Sequence, residues 1–174
     1  MAHIRKATSD EAEVLTQIAH DAKRYWGYPE SWLERWKDDL TLTAEFISGN
    51  EVYVVETDPD GPSESASLPT GEAARAGAGI AGFYAIAMSG EKAELEHMWV
   101  RPERIGSGCG KELMMHALET AAFLNAAALE ISADPNAEGF YKRMGAIRIG
   151  EIHSEVDGQP RTLPRLSITL ESNP

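Results

Sequence analysis

The sequence predicts an α+β sandwich built around one central sheet. Three observations predict it. Short runs rich in β-branched and aromatic residues are interspersed with amphipathic stretches in the mixed order β-α-α-β-β-β-α-β-α-β-β, with no internal repeat. A glycine-rich turn, Ile105-Gly106-Ser107-Gly108-Cys109-Gly110-Lys111, leaves the end of one strand run and opens a helical run. The longest stretch without apolar period, 57–77, is too short and too polar to divide the chain, so 1–174 reads as a single domain.

Taken in order, residues 3–7 read as a short first strand. Thr8 and Glu11 stand at capping-box spacing, where each side chain can serve the other's backbone N–H. Val14, Leu15, Ile18, Ala19 and Ala22 then recur at helical spacing. Gly27 and Pro29 interrupt that pattern. A second short helix carries Trp32, Leu33, Trp36 and Leu40 on one face, with Glu34, Arg35, Lys37 and Asp38 opposite, and 43–48 add a further turn. A strand at 52–56 follows. Residues 57–77, rich in Pro, Gly, Ser, Ala and acids, read as a mobile loop. A strand at 80–87 pairs back on 52–56 as a hairpin, and 93–100 is the fourth strand. The helix over 108–125 buries Leu113, Ala117, Leu118, Ala121 and Leu124. After a fifth strand at 128–133, Asp134-Pro135-Asn136 forms a turn, and Asn136 is placed to cap a short helix that ends near Gly145. Strands at 146–154 and 163–170 close the fold, joined by Asp157-Gly158-Gln159-Pro160.

Sixteen basic and 28 acidic side chains give a formal charge of −12. That argues against a nucleic-acid backbone as partner. At long range it favours a cationic small molecule over an anionic one, although solubility alone explains such acidity. No apolar run approaches the ~20 residues that span a bilayer, and 1–6 lack the apolar segment of a signal peptide, so no membrane partner is expected. Cys109 is the only cysteine; no internal disulfide can form, which fits a reducing cytoplasm. No His/Cys/Asp/Glu cluster has ligand spacing, so no metal is expected.

The glycine turn carries the chemistry. Its glycines leave a row of backbone N–H groups bare of side chains, and the helix start adds unpaired donors and a partial positive charge. Such a row can cradle a phosphate or pyrophosphate, and a plain glycine-rich strand-to-helix turn is the competing reading of the same residues. A Walker loop is excluded, because Ile105 stands in place of its first Gly and Glu112 in place of its hydroxyl. The dinucleotide fingerprint fails for want of its third Gly. Arg101, Arg104 and Lys111 flank the turn as local cations.

Two motifs now make a family resemblance specific. Leu95-Glu96-His97-Met98-Trp99-Val100-Arg101-Pro102 leading into Ile105-Gly106-Ser107-Gly108-Cys109-Gly110 resembles the strand and acetyl-CoA pyrophosphate loop of the GNAT superfamily of N-acetyltransferases, with Ile105 where Gln or Arg is usual. Asp134-Pro135-Asn136-Ala137-Glu138-Gly139-Phe140-Tyr141-Lys142-Arg143-Met144-Gly145-Ala146 is similar to the family's later Asn-Ala-x-x-Phe-Tyr-x-x-x-Gly-Phe stretch, with Ala146 in place of the aromatic. The resemblance implies a GNAT-like fold with a mixed, mostly antiparallel sheet of about seven strands flanked by helices. It implies acetyl-CoA as donor and co-substrate, and an amine as acceptor, either a small molecule or a peptide or protein amine. Pairing of the last strands, a family habit, would make a homodimer.

The resemblance also places roles. Main-chain N–H groups of Gly106, Ser107, Gly108, Cys109, Gly110 and Lys111 would hold the pyrophosphate, with Ile105 at the cofactor-binding position before them and Cys109 a small loop residue rather than a nucleophile. Met98 and Val100 would pair with the pantetheine arm where the fourth strand splays from the fifth, and an N–H near Met98 would face the developing oxyanion. Asn136 would contact a pantetheine amide, and Tyr141 would give a proton to the leaving thiolate. Simple alternation puts Glu94, Glu96, Met98 and Val100 on one face of the strand and Leu95, His97 and Trp99 on the other. Glu96, then Glu94, then His97 are the candidates for removing the amine's proton. Trp26 and Tyr28 are the candidates for the acceptor pocket wall, where aromatic faces suit an ammonium group. A non-catalytic acyl-CoA-binding module, or transfer of another acyl group or to another acceptor, are the competing readings.

Overall fold

The computed structural model describes residues 2–57 and 79–171. The loop expected at 57–77 therefore lies, apart from Thr57, outside the described residues. Strand β1 (His3–Lys6) leads through a 3-10 turn at Ser9–Glu11 into α1 (Ala12–Tyr25), and the capping box between Thr8 and Glu11 forms as expected. Glu11 is buried beneath that turn and is held by Arg5, at 2.6 Å. Then come α2 (Glu30–Arg35), α3 (Ala44–Gly49), β2 (Glu51–Glu56), β3 (Ile80–Ser89) and β4 (Lys92–Val100). Helix α4 (Cys109–Phe123), β5 (Ala128–Ser132), α5 (Glu138–Arg143), β6 (Ile147–Val156) and β7 (Gln159–Thr169) complete the chain.

The strands form one seven-stranded sheet in the order β1-β2-β3-β4-β5-β7-β6. Every neighbouring pair is antiparallel except β4–β5, which is parallel and joined only at Ala93↔Leu129 and Glu94↔Glu130. Beyond Glu94 the two strands part. β3–β4 and β6–β7 close through tight turns, whereas the single parallel pair is bridged by α4, as parallel geometry requires.

Two apolar clusters flank the sheet. One packs Leu113, Met114, Ala117 and Ala121 of α4 and Tyr141 of α5 against Tyr84, Ile86, Leu95, Leu129, Ile131 and Leu166. The other packs Leu15, Ile18 and Ala19 of α1 and Ile47 of α3 against Val52, Val54, Ile80, Phe83 and Ala85. Met114 joins the α4 stripe, while Leu118 and Leu124 are only half-buried.

The β6–β7 hairpin is longer than the sequence pattern suggested. Its turn is only Asp157-Gly158, with φ of 51° and 75°, a left-handed pair suited to tight hairpins. β7 meets β5 only between Arg165 and Thr169, so the distal half of the hairpin runs past the sheet edge. Asp157 is ion-paired there with Arg35 of α2, and the Arg161 guanidinium lies 4.6 Å from the Trp36 ring.

Candidate active site

Where β4 and β5 part, a cleft of about 610 Å³ opens between the strand ends, the glycine turn, α5 and the end of α1. Its wall on β4 runs from Leu95 through Val100; Ile131 to Asp134 face it from β5 and the turn beyond. Arg101 N–H donates to Ala81 O on β3 at 2.8 Å. Alternation along an antiparallel strand therefore turns the backbone groups of Val100 and Met98 away from β3 and toward the cleft. Gly82 permits this close strand pairing: a Cβ there would sit 2.6 Å from Trp99 O.

The β4 register corrects the simple alternation. Leu95 pairs with Ile86 and His97 with Ala85, so Glu96 is an extra residue in a bulge. The bulge puts Leu95 in the same apolar cluster that Met98 and Val100 pack against, and leaves His97 and Trp99 on the α1 side. Glu96 lines the cleft and its side chain reaches solvent. Partial burial, with the charge of Glu94, holds its carboxyl above the usual carboxylate range. Glu94, expected beside it as a second base, instead accepts a hydrogen bond from Arg165 at 2.8 Å, in a cluster with buried Glu130, and does not line the cleft. His97 lines the cleft, but its Nδ1 accepts the Trp99 indole N–H at 3.1 Å. That bond assigns the ring proton to Nε2. Burial pushes the imidazole pKa down to about 4, so the ring is neutral at physiological pH and its open nitrogen already carries a proton.

The glycine turn is built as its composition suggests. Gly106 and Gly108 adopt φ of +83° and +96°, and open space lies where their Cβ atoms would be. Gly108 is the N-cap of α4. The first bond of the helix ladder is Glu112 N–H to Gly108 O, at 3.1 Å, so among the described residues the N–H groups of Cys109, Gly110 and Lys111 have no backbone acceptor. Gly110 is helical and packs near Phe140, which a Cβ would meet at 3.6 Å. Ile105, Gly106, Gly108, Gly110 and Lys111 line the cleft. Ser107 and Cys109 do not: the Ser107 hydroxyl donates to Arg104 O at 2.6 Å, and Cys109 is buried in the α4 core.

On the opposite wall Tyr141 is 7% exposed and lines the cleft, and its hydroxyl makes no hydrogen bond among the described residues. Burial, with the charge of Asp134, raises its pKa, so the phenol stays protonated. Asn136 also lines the cleft, but it does not cap α5; the N-cap is Ala137. Asp134 shapes that turn, its carboxylate accepting Asn136 N–H at 2.9 Å. The Asn136 amide donates to Asp134 and to Tyr28 Oη, which leaves its Oδ1 free of protein donors among the described residues.

Trp26 lines the cleft; Tyr28 does not. The Tyr28 ring stacks on Trp32 and its hydroxyl donates to Asp134 at 3.0 Å. Of the two aromatic faces expected to receive a substrate ammonium, that of Tyr28 is occupied by the protein's own cations, which also cover Trp36. Lys23 Nζ lies 4.8 Å from the Tyr28 ring and 4.5 Å from Trp36, and Arg161 lies 5.5 and 4.6 Å from the same two rings. Both cations contact Asp134 Oδ2, at 2.5 and 3.2 Å. Burial pushes the Asp134 carboxyl up, but the Lys23 charge and its hydrogen bonds carry it below its ordinary value. Burial lowers the Lys23 pKa against the pull of Asp134. Sequence reasoning missed Lys23 and Arg161. One signal was available: Leu15, Ala19 and Lys23 share the buried i, i+4 stripe of α1, where a lysine needs a partner.

The cleft thus joins a glycine turn with bare N–H groups, a splayed parallel strand pair and a protonated phenol, an arrangement able to hold a phosphate-bearing ligand and to protonate a leaving group. The family model for the acetyltransferase (GNAT) domain matches residues 69–160, and the chain belongs to that family of acyltransferases, whose acyl donor is acetyl-CoA. No curated protein matches by sequence. Among solved structures, a GCN5-related N-acetyltransferase from Rhodopseudomonas palustris aligns at 18% identity over 98% of this chain and 96% of its own, with a TM-score of 0.72. PaiA N-acetyltransferase from Thermoplasma acidophilum, in complex with coenzyme A, aligns at 17% over 97% and 99%, with a TM-score of 0.64. The ribosomal-protein-S18-alanine N-acetyltransferase from Escherichia coli aligns at 14% over 98% and 94%, with a TM-score of 0.65. At these identities the likeness is one of fold. Among the described residues no helix is long and apolar enough to cross a membrane.

Proposed function

We propose that the chain transfers the acetyl group of acetyl-CoA to a primary amine by direct attack within a ternary complex. The observation that carries this reading is the parting of β4 from β5 beyond Glu94, which opens strand backbone into the same cleft as the bare amides of the glycine turn and the Tyr141 hydroxyl. The amides of Cys109, Gly110 and Lys111, with that of Gly106, hold the pyrophosphate; those of Ile105 and Ser107 already donate to Pro102 O and Arg104 O, at 3.2 Å each. Met98 and Val100 offer backbone to the pantetheine arm, and the open Oδ1 of Asn136 accepts one of its amide N–H groups.

The chain's own residues then divide the work. Glu96, with its raised pKa, takes the proton of the attacking ammonium directly or through water. The Met98 N–H donates to the thioester oxygen as it gains charge, an interaction whose loss costs about 3–4 kcal/mol of barrier at comparable sites. The freed amine nitrogen bonds to the thioester carbon; as the C–S bond breaks, Tyr141 gives its proton to the leaving sulfur, the nitrogen's second proton leaves to solvent, from which Tyr141 recovers one, and Glu96 releases the proton it took. Trp26 forms part of the acceptor wall.

Incubation with acetyl-CoA and a panel of polyamines, amino acids, aminoglycosides and peptides tests this. Free thiol should appear only with an acceptor, with acetylated amine in equal amount. Coenzyme A binding with no turnover across a broad panel would replace the enzyme by a binding module; no binding would overturn the reading of the glycine turn.

A further inference from the structure

The Lys23–Asp134–Arg161 cluster holds two cations against one carboxylate. Its three side chains are only 8, 9 and 11% exposed, and both cations are drawn to one carboxylate oxygen. The other buried carboxylates among the described residues are arranged differently. Glu11 shares Arg5 with Glu56, and Glu130 shares Arg165 with Glu94 while also pairing with Lys92. In those clusters cations never outnumber anions. A surplus buried charge is costly to keep. With 28 acidic residues in the chain, it does not persist for lack of acids. The faces of Tyr28 and Trp36 offset only part of the cost.

Lys23 and Arg161 do not themselves line the cleft, but the surplus adjoins it through their shared partner. Asp134 and Asn136 belong to the network and to the cleft wall at once, and Trp99 of that wall lies 5.9 Å from Lys23 Nζ. Arg161 spends Nη2 on Asp134 and Tyr28. Its Nε and Nη1 make no hydrogen bond among the described residues, and no fully buried side-chain nitrogen there lacks a partner, so these donors open to solvent. A planar guanidinium with free donors beside a point cation fits a carboxylate, and one surplus unit of charge matches a monoanion.

We propose that the acceptor is an amine bearing a carboxylate, which the free donors of Arg161 receive with Lys23 behind them, while the acceptor's amino group faces Glu96. This rests on the acetyl-transfer reading and narrows its acceptor. The net charge of −12 slows the approach of such an anion, but salt screens distant charges beyond about 8 Å, so the two local cations are not cancelled.

The test compares free amino acids with their carboxamides and decarboxylated amines, by thiol release from acetyl-CoA. The acids should exceed their carboxamides at least tenfold in kcat/KM, mainly through KM. Arg161→Gln should cut that ratio at least fivefold, and Arg161→Lys should restore part of it. Carboxamides turned over as well as acids, or a ratio untouched in Arg161→Gln, overturns the proposal while leaving acetyl transfer intact. Calorimetry of N-acetylated acids and their carboxamides on the CoA-saturated wild-type protein decides the point without any variant and without turnover: tighter binding of the acid supports it, and equal binding refutes it.

Discussion

Replacing Tyr141 by Phe separates chemistry from folding unusually well. The residue is 7% exposed, and its hydroxyl makes no hydrogen bond among the described residues. Removing one oxygen therefore orphans no partner and leaves a gap smaller than a methyl group. Folding free energy should change by less than about 1 kcal/mol. The catalytic effect should be far larger. A positioned general acid contributes about 10²–10⁴-fold. A phenol kept protonated by burial is available at every physiological pH, so its loss forces the thiolate to leave unprotonated. We expect kcat to fall about 100-fold, equivalent to about 2.7 kcal/mol of barrier. Thermal melting should be nearly unchanged, and calorimetric affinity for coenzyme A should stay within about twofold. A kcat within threefold of wild type would remove Tyr141 from proton transfer. A loss of coenzyme A affinity matching the loss of rate would make Tyr141 part of the cavity's shape rather than its acid.

Glu96→Gln should slow turnover at neutral pH by about 10–100-fold and abolish the acidic limb of the kcat/KM profile, which in wild type should lie above the ordinary carboxylate range; an unaltered profile would place the base elsewhere. Gly82→Ala should lower stability by about 1–3 kcal/mol in urea titration and weaken coenzyme A binding, because its Cβ would press Trp99 O and displace β4; wild-type values for both would contradict the close strand approach. His97 stays neutral in the fold until about pH 4, whereas an unfolded histidine takes its proton near 6.5. The unfolded state thus binds more protons between those values, and stability should fall as pH drops through that window, by up to about 3 kcal/mol. His97→Phe should flatten the fall; parallel curves for the two proteins would refute the assignment.

Much of the fold is written locally. The i, i+4 apolar positions of α1, the Thr8–Glu11 box and the left-handed Gly106 and Gly108 are short-range signals, and each appears where its residues place it. The bulge at Glu96 is different. It arises from the register against β3, between residues nine and twelve positions apart in sequence, and nothing within 93–100 breaks the alternation. Tyr28 and Asn136 illustrate a further limit. Their local environments suggested a pocket wall and a helix cap, but a carboxylate at Asp134 and a guanidinium at Arg161 draw them into a network assembled from four separated segments. Glu94 was read as a base for the same reason: its partner Arg165 is 71 residues away.

The apolar packing beneath α4 and that beneath α1 and α3 touch opposite sides of the sheet and share no buried residue. A change of side-chain volume under α1 and α3 can therefore be absorbed on that side of the sheet without repacking the residues beneath α4, on which the glycine turn rests.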